Sequence, residues 1–309
     1  LVGSEMCIRD RAITDRKIRF SYLTKLGVFN GLSDEQYLKL KYKNVFGRDL
    51  DLENPKTFNE KLQWLKLHNR KPEYTVMADK YLAKKYIASK IGDEYVVPLI
   101  GVWDNPEDID FNTLPDQFVL KCNHNSGTGM YICVDKSKMN IVAVKKELDK
   151  GLKENYYIQN REWPYKNIPR KIIAEKFLKD VDDECLTDYK FFCFNGKPEI
   201  VYISKDNAVD ARTDFFDMDF NHLNIHMKDP NADVPPSKPQ EFEKMKEIAT
   251  ILSKGIPHVR IDLYDILGRI YVGEMTFYHN GGFGPVSPDE WNYKLGQMIT
   301  LPTIEKETL

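Results

Sequence analysis

The stretch VRIDLYDILGRIYVGEMTFYHNGGF, residues 259–283, decides the fold of this 309-residue chain. It contains two apolar strands in which polar residues recur at every second position. Residues two apart in a strand point to the same face, so Arg260 pairs with Asp262 in the first strand and Glu274 pairs with Thr276 in the second. The stretch therefore predicts a hairpin with one polar face.

The turn of this hairpin determines which side chains meet. Gly268 can take the positive φ that a tight hairpin turn requires, and the turn brings both polar pairs together. Oxygen ligands of this kind suit Mg²⁺, so we predict Asp262, Glu274 and Thr276 as metal ligands. Arg260 would then stabilise charge on a transferring phosphoryl group. An ordinary amphipathic hairpin with its acidic residues in water explains the same pattern, and this segment alone does not separate the two.

A second segment, FVLKCNHNSGTGMYICVD at residues 118–135, places a polar loop between two apolar strands. Lys121 lies near the end of the first strand, and the loop contains Ser126, Gly127 and Gly129. Such a loop can offer backbone N–H groups to phosphates while the lysine supplies a point charge. The string matches neither a Walker A loop nor a dinucleotide-binding fingerprint. It predicts a phosphate-binding hairpin.

Four blocks in this order resemble the ATP-grasp family. Residues 78–98 resemble the block that supplies a phosphate-binding lysine, here Lys80, and the hairpin with Lys121 resembles the family's phosphate lid. Residues 172–178, IIAEKFL, resemble the strand and hinge that contact adenine. The resemblance implies adenine contacts by Glu175, Lys176, Phe177 and Leu178. The acidic hairpin completes the set, although the family has Asn where this chain has Thr276, a weaker metal ligand.

A narrower resemblance is to the TupA-like branch of the ATP-grasp proteins, which is associated with teichuronopeptide and other surface-polysaccharide biosynthesis. The segments that carry it are NPKTFNEKLQW (54–64), LPDQFVLKCNHNSG (114–127), REWPYKNIPRKIIAEKFL (161–178) and GEMTFYHNGGF (273–283). They span most of the chain from about residue 52 onward.

The resemblance implies an α+β ATP-grasp fold, in which two α+β subdomains grip a nucleotide, and an ATP- and Mg²⁺-dependent ligation. A carboxylate acceptor, such as a sugar acid of a surface polymer, would form an acyl phosphate, and an amine such as an amino acid would displace phosphate. The implied catalytic residues are Arg260 and Lys190. Lys190 is expected to project with Asp188 from one strand face. The resemblance implies that it contacts a phosphate or the acceptor, and a pairing with Asp188 alone is the alternative.

The chain is predicted to divide into four parts. Residues 1–11, LVGSEMCIRDR, read like the in-frame translation of a sequencing adapter, with a short natural leader as the alternative, so they are excluded from the fold prediction. Residues 12–74 are predicted to be a helical N-terminal region. Residues 75–178 would form the ATP-grasp part with the Gly-rich lid, and residues 179–309 the part with the metal site.

Two local signals are specific enough to place turns and helix ends. Thr57 followed by Glu60 predicts a capping box at the start of a helix. Asn195 and Gly196 between two apolar runs predict a tight hairpin.

Composition limits the partners and the compartment. Lysine and arginine number 45 and aspartate and glutamate 47, a formal net charge of −2, which argues against nucleic acid as the main partner. No apolar run approaches the ~20 residues that a membrane span needs, so we expect a cytoplasmic protein. Cys122, Cys133 and Cys193 lie in apolar runs and Cys185 lies in an acidic loop, which indicates buried thiols in a reducing compartment rather than a zinc site.

Two other classes of function stay open. Asp217 and Asp219, two apart after a pair of phenylalanines, resemble the Asp-x-Asp metal motif of nucleotide-sugar glycosyltransferases. A strand end and turn with solvated carboxylates is the simpler interpretation of that motif. A non-catalytic nucleotide-binding module is the other alternative, and the departure at Thr276 is the feature that favours it.

Overall fold

The computed structural model describes residues 16–179, 186–205 and 211–303. Residues 1–11 and Cys185 lie outside the described residues, so the interpretations of both stay predictions.

The described elements begin with five α-helices, and groups of consecutive strands separated by helices follow. In the described ranges the helices are α1 (Arg16–Lys25), α2 (Asp34–Phe46), α3 (Phe58–His68), α4 (Pro72–Ala78), α5 (Leu82–Ile91), α6 (Ile141–Lys153), α7 (Tyr156–Asn160), α8 (Phe242–Ser253) and α9 (Asp289–Met298). The strands there are β1 (Leu99–Trp103), β2 (Phe118–Cys122), β3 (Met130–Cys133), β4 (Ile172–Lys176), β5 (Thr187–Phe194), β6 (Lys197–Lys205), β7 (Arg212–Asp217), β8 (His222–Leu223), β9 (His258–Ile266) and β10 (Arg269–Thr276).

The strands form two antiparallel sheets. The smaller sheet has the order β1-β4-β2-β3, and the larger has the order β10-β9-β5-β6-β7-β8. Helices α6 and α8 pack on the smaller and the larger sheet respectively. This arrangement of helices segregated onto antiparallel sheets confirms the predicted α+β class.

The smaller sheet buries one face against α6 and leaves the other for a cleft. Strand β2 alternates between buried and half-buried residues, so Phe118 and Leu120 enter the core while Lys121 points the other way. Val144 and Leu148, four residues apart on α6, meet that core. The alternation therefore explains why the predicted phosphate-binding lysine lies on the open side of the sheet.

Helices α3 and α4 of the N-terminal region belong to the core of the larger sheet. The predicted capping box starts α3: the hydroxyl of Thr57 accepts from the backbone N–H of Glu60 at 3.3 Å, and the carboxylate of Glu60 accepts from that of Thr57 at 3.0 Å. Phe58 and Leu62 of α3 then pack into one hydrophobic cluster with the larger sheet. The boundary predicted between residues 74 and 75 falls inside α4.

Among the helices of the described ranges, none has the length and apolar character needed to cross a membrane.

Candidate active site

The acidic hairpin forms as predicted, with one feature that the spacing does not reveal. The turn consists of Leu267 and Gly268, whose φ values are 55° and 80°. Asp262 lies opposite Glu274, but the register shifts by one residue between Val272 and Glu274. A one-residue shift turns a side chain to the opposite face. The bulge therefore places Glu274 on the same face as Asp262.

Arg260 lies at the centre of this polar face and is only 8% exposed. Its Nε donates to Asp262 Oδ1 at 2.7 Å, and its Nη2 donates to Asp262 Oδ2 at 2.6 Å. Nη2 also lies 2.9 Å from Glu274 Oε1 and 3.2 Å from Thr276 Oγ1. The hairpin thus gathers the two carboxylates, the hydroxyl and the guanidinium of the predicted site.

The two carboxylates have different acidities. Burial raises the pKa of Asp262 to about 7, although Arg260 opposes the rise. Burial acts in the same direction on Glu274, but attraction to Arg260 and Lys80 outweighs it and lowers the pKa of Glu274 to about 2. Two carboxyl groups whose pKa values differ this widely can have different roles in one reaction.

The donor set fits a divalent cation that takes further ligands from a substrate or water. Glu274 is 35% exposed at its side chain, and its Oε2 accepts no hydrogen bond from any described residue. Thr276 Oγ1 donates to Glu274 Oε1 at 2.6 Å, so its hydroxyl supports that carboxylate. The described chain contains no group of three or more His, Cys, Asp or Glu side chains that could hold a metal. A metal on Asp262 and Glu274 would depend on oxygens from outside the protein, as Mg²⁺ commonly does.

The lid hairpin also forms as predicted, with β2 and β3 flanking the polar loop. Gly127 and Gly129 both have positive φ, 86° and 69°. Lys80 Nζ donates to the carbonyl of Asn125 in the loop at 2.5 Å, and burial lowers the pKa of Lys80. Lys80 therefore anchors the lid from just before α5, while Ser126 and Gly127 stay exposed at its tip.

Glu175 joins two lysines at the edge of the cleft. Its Oε2 lies 2.6 Å from Lys121 Nζ, and its Oε1 lies 2.7 Å from Lys84 Nζ. Burial raises the pKa of Glu175, but the two lysines outweigh this and lower it. Lys84 is not among the predicted site residues. It lies four residues after Lys80, the spacing of one helical turn, and that spacing is the signal that could have found it.

A cleft of about 340 Å³ separates the lid sheet from the larger sheet. Its lining includes all four predicted adenine contacts, Glu175, Lys176, Phe177 and Leu178, together with Lys121. Its remaining lining residues are Val97, Val119, Met130, Ile132, Val134, Lys179, Leu186, Asp188, Tyr264 and Gly273. Met130 and Ile132 stay 47% and 50% exposed on the lid side. An apolar cleft with charged groups at one end is the usual form of a small-molecule site.

Lys190 lies directly opposite Asp262 in the pairing of β5 with β9, so both side chains share one face. Its Nζ donates to Asp188 Oδ2 at 2.7 Å and to Ser204 Oγ at 2.8 Å. The pairing with Asp188 is therefore present, and a role for Lys190 toward a phosphate or the acceptor stays a prediction.

Two further polar residues of the site were left out of the predicted set. His279 follows β10, and its Nδ1 lies 2.6 Å from Arg260 Nη1. Burial lowers the pKa of His279 well below its usual value, so the imidazole is neutral. Glu162 is 2% exposed, and burial raises its pKa. Glu162 lies in the REWPY string of residues 161–165, in which the family resemblance is the only signal.

The Asp-x-Asp string forms the turn after β7. Asp217 Oδ1 accepts from the backbone N–H groups of Asp219 and Asn221, at 3.0 Å and 2.8 Å. Neither aspartate lines the cleft. This geometry is that of a strand end and turn, as the simpler interpretation predicts.

The two sheets, the Gly-rich lid and the carboxylate-bearing hairpin define an ATP-grasp protein. The family model described as TupA-like ATPgrasp matches residues 60–300, so the chain belongs to the TupA-like ATP-grasp family. The predicted family is thereby confirmed.

Solved structures of ATP-grasp ligases are similar to this chain at low identity. D-alanine–D-alanine ligase from Bacillus anthracis, complexed with ATP, is 16% identical, with a TM-score of 0.43 over 72% of this chain and 63% of that ligase. The corresponding ligase from Helicobacter pylori is 14% identical, with a TM-score of 0.42 over 80% and 70% of the two chains. The ATP-grasp ligase PsnB with its minimal precursor is 8% identical, with a TM-score of 0.39 over 81% and 67%. Comparison with curated proteins gives no significant match.

Proposed function

We propose that this protein is an ATP- and Mg²⁺-dependent carboxylate–amine ligase that acts in the biosynthesis or modification of a cell-surface polysaccharide. The observation that carries the proposal is the pairing of Asp262 with Glu274 around Arg260, on the larger sheet that forms one wall of a nucleotide-sized cleft. Membership of the TupA-like ATP-grasp family supports the same reaction class.

In the proposed reaction Lys80 and Lys121 bind the phosphates, and the acidic hairpin of β9 and β10 binds the metal. Lys121, held by Glu175, and Lys80, which anchors the lid loop, would neutralise the triphosphate. Asp262 and Glu274 would hold Mg²⁺, which supplies positive charge to the phosphate oxygens when bound. Ser126, Gly127 and Gly129 would offer backbone N–H groups from the lid. The hinge of residues 175–178 would receive adenine.

The acceptor would react at the polar face of the larger sheet that carries Arg260 and Lys190. An acceptor carboxylate would attack the γ-phosphorus of ATP, the bond to the bridging oxygen would break and release ADP, and the product would be an acyl phosphate; Arg260 would stabilise the charge that develops. Lys190, opposite Asp262, would contact the acceptor or a phosphate. An amine would then displace phosphate and form an amide. We propose a sugar acid of a surface polymer as acceptor, an amino acid as amine, and the cytoplasm as compartment.

The test compares isosteric variants of the metal pair with variants of the Asp-x-Asp turn. Asp262→Asn and Glu274→Gln are expected to lower acceptor-dependent phosphate release from ATP at least ~100-fold, because each removes one metal ligand while keeping the side-chain shape. Asp217→Asn and Asp219→Asn are the controls and are expected to retain activity. Turnover retained in either hairpin variant would remove the metal assignment.

A thermal-shift screen separates this function from the alternatives, because a ligand that binds only the folded state raises its stability. Stabilisation by ATP with Mg²⁺ supports the ligase. Stabilisation by a UDP-sugar while ATP has no effect, together with loss of activity on changing Asp217, would indicate a glycosyltransferase. ATP binding without turnover of any acceptor would indicate a non-catalytic nucleotide-binding module.

A further inference from the structure

The loop that follows β10 is held through its backbone by one face of α3. Asn59, Gln63 and Lys66 lie four and three residues apart, so their side chains project from the same side of the helix. The bonds are Asn59 Nδ2 to the carbonyls of Gly282 and Gly284 at 3.0 Å each, Gln63 Nε2 to that of Gly282 at 2.8 Å, and Lys66 Nζ to that of Gly281 at 2.6 Å. One helix face thus fixes three glycine carbonyls of the loop.

This face is buried, which shows that it serves the loop and not the solvent. Asn59, Gln63 and Lys66 are 1%, 0% and 0% exposed. Buried polar groups are costly unless hydrogen bonds satisfy them. The fit is also close: a Cβ on Gly281 would lie 2.5 Å from the side chain of Asn160, and one on Gly282 would lie 2.5 Å from that of Gln63. A side chain at either glycine would therefore clash with the groups packed against the loop.

His279 lies at the start of this loop, and its side chain contacts Arg260. A guanidinium has donors and no acceptor, so the contact of 2.6 Å between Arg260 Nη1 and His279 Nδ1 requires Nδ1 to accept. The proton of the neutral ring is then on Nε2. Asn280 Nδ2 lies 3.1 Å from Nε2, and because two N–H groups cannot hydrogen-bond to each other, this tautomer requires the amide to be turned so that Asn280 Oδ1 accepts from Nε2.

His279 accepts a hydrogen bond from Arg260 without carrying a negative charge, whereas Asp262 and Glu274 hold Arg260 through carboxylates. Nε and Nη2 of Arg260 are engaged by Asp262 and Glu274, the residues to which the proposed function assigns the metal. A carboxylate that turns toward a cation weakens its hold on the guanidinium. A neutral imidazole does not compete for the cation in this way. In the described part of the chain, the second hydrogen on Nη1 meets no acceptor, which leaves it for a substrate oxygen.

We propose that His279 is a positioning residue that keeps Arg260 oriented toward the substrate, and that α3 of the N-terminal region fixes His279 by binding the backbone of its loop. This inference rests on the proposed function for the role of Arg260. Helix α3 does not line the cleft, but by holding this loop it would take part in the site.

The matched variants are His279→Asn and His279→Gln. The amide of Asn reaches the position of Nδ1 and can accept from Arg260, whereas the amide of Gln reaches that of Nε2 and leaves the Nη1 hydrogen without an acceptor. Loss of a hydrogen bond to a charged group predicts that kcat of His279→Gln falls about 10- to 100-fold with the KM for ATP unchanged. His279→Asn is expected to stay within about threefold of the native kcat. Equal rates for the two variants would overturn the proposal.

A second measurement does not depend on turnover or on the folding of a variant. Nitrogen-15 NMR of the native protein, without nucleotide or metal, is expected to show His279 as the Nε2–H tautomer with Nδ1 accepting a hydrogen bond. A proton on Nδ1 would overturn the proposal. If the native protein turned over no acceptor, the ligase function would fail, while the NMR result would still decide whether His279 holds Arg260.

Discussion

At the scale of the residue, the environment gives identical functional groups different properties. Asp262 and Glu274 both contact Arg260, yet burial raises the pKa of the first to about 7, while attraction to Arg260 and Lys80 overcomes burial and lowers that of the second to about 2. Glu274 is therefore ionised at every physiological pH. Asp262 is the carboxylate whose charge changes near neutrality.

Metal binding is expected to depend on pH through Asp262. A cation binds the ionised carboxylate, so protons compete with it below the pKa of about 7. Between pH 8 and pH 6 the apparent affinity for Mn²⁺, used as a probe with ADP, should fall about tenfold. Titration calorimetry at both pH values measures this change. The variant Asp262→Asn is the control, and an equally large pH dependence in it would contradict the assignment.

Stability is expected to fall on mild acidification because of buried histidines. Burial lowers the pKa of His124 to about 4 and that of His258 to about 3, so both stay neutral in the fold. The unfolded chain takes up their protons below pH ~6.5, so stability is lost as pH falls through that value. Between pH 7 and pH 5 each histidine should remove about 2 kcal/mol, measured by urea unfolding.

The control for this prediction is His258→Phe. The substitution removes the bond from Nδ1 to the carbonyl of Cys193 but can keep the ring contacts with Phe58 and Phe194. The stability of the variant at pH 7 should be lower, but its dependence on pH should be flatter. An unchanged slope would show that other groups cause the acid sensitivity.

At the scale of the element, the lid is a hairpin held at its base and free at its tip. A Cβ on Gly129 would lie 2.7 Å from Cys122 Sγ and 2.7 Å from the Cα of Gly151 on α6, whereas a Cβ on Gly127 would meet nothing within 4 Å. Both glycines have positive φ. The two positions therefore share a backbone requirement and differ in packing.

The pair Gly129→Ala and Gly127→Ala separates these two effects. Gly127→Ala should cost about 1 kcal/mol, because it carries only the left-handed backbone penalty. Gly129→Ala adds a clash with the backbone of α6, and we expect a loss of about 2–4 kcal/mol and weaker ATP binding. Thermal unfolding and calorimetry with ATP measure both. Equal losses in the two variants would show that the base of the lid does not pack against α6.

At the scale of the whole molecule, helices α3 and α4 of the N-terminal region and the larger sheet form one core, while α1 and α2 pack in a separate cluster. Phe58, Leu62, Leu65 and Tyr74 of α3 and α4 belong to the same cluster as the central strands. Each such buried side chain contributes about 1.5–3 kcal/mol through the hydrophobic effect. Within the helical region predicted for residues 12–74, it is thus α3 and the start of α4 that belong to the core of the larger sheet.

Removal of the N-terminal region is therefore expected to prevent folding. A chain of residues 75–309 would expose the apolar surface that α3 covers, and we expect it to be insoluble or to lack a cooperative unfolding transition. The chain of residues 12–309 is the control and should unfold cooperatively. Circular dichroism with thermal unfolding compares the two. A cooperative transition in the short chain would contradict the shared core.

Much of this protein follows from local signals in its sequence. Asn195 and Gly196 form the predicted hairpin turn with φ values of 51° and 83°, and Thr57 with Glu60 forms the predicted capping box, because both structures depend on residues a few positions apart. The lid hairpin and the acidic hairpin follow from the same kind of information. The spacing of polar residues within each of these two hairpins is enough to identify its candidate site residues.

The contacts that make those residues a site were decided only by the tertiary structure. With the two-residue turn alone, Asp262 would lie opposite Gly273, and it is the bulge that brings Glu274 there. The link from Glu175 to Lys84 and the link from His279 to Arg260 join segments that are distant in the chain. Spacing within a strand determines which side chains share its face, but register and long-range packing depend on the energies of the whole core, which no single segment contains.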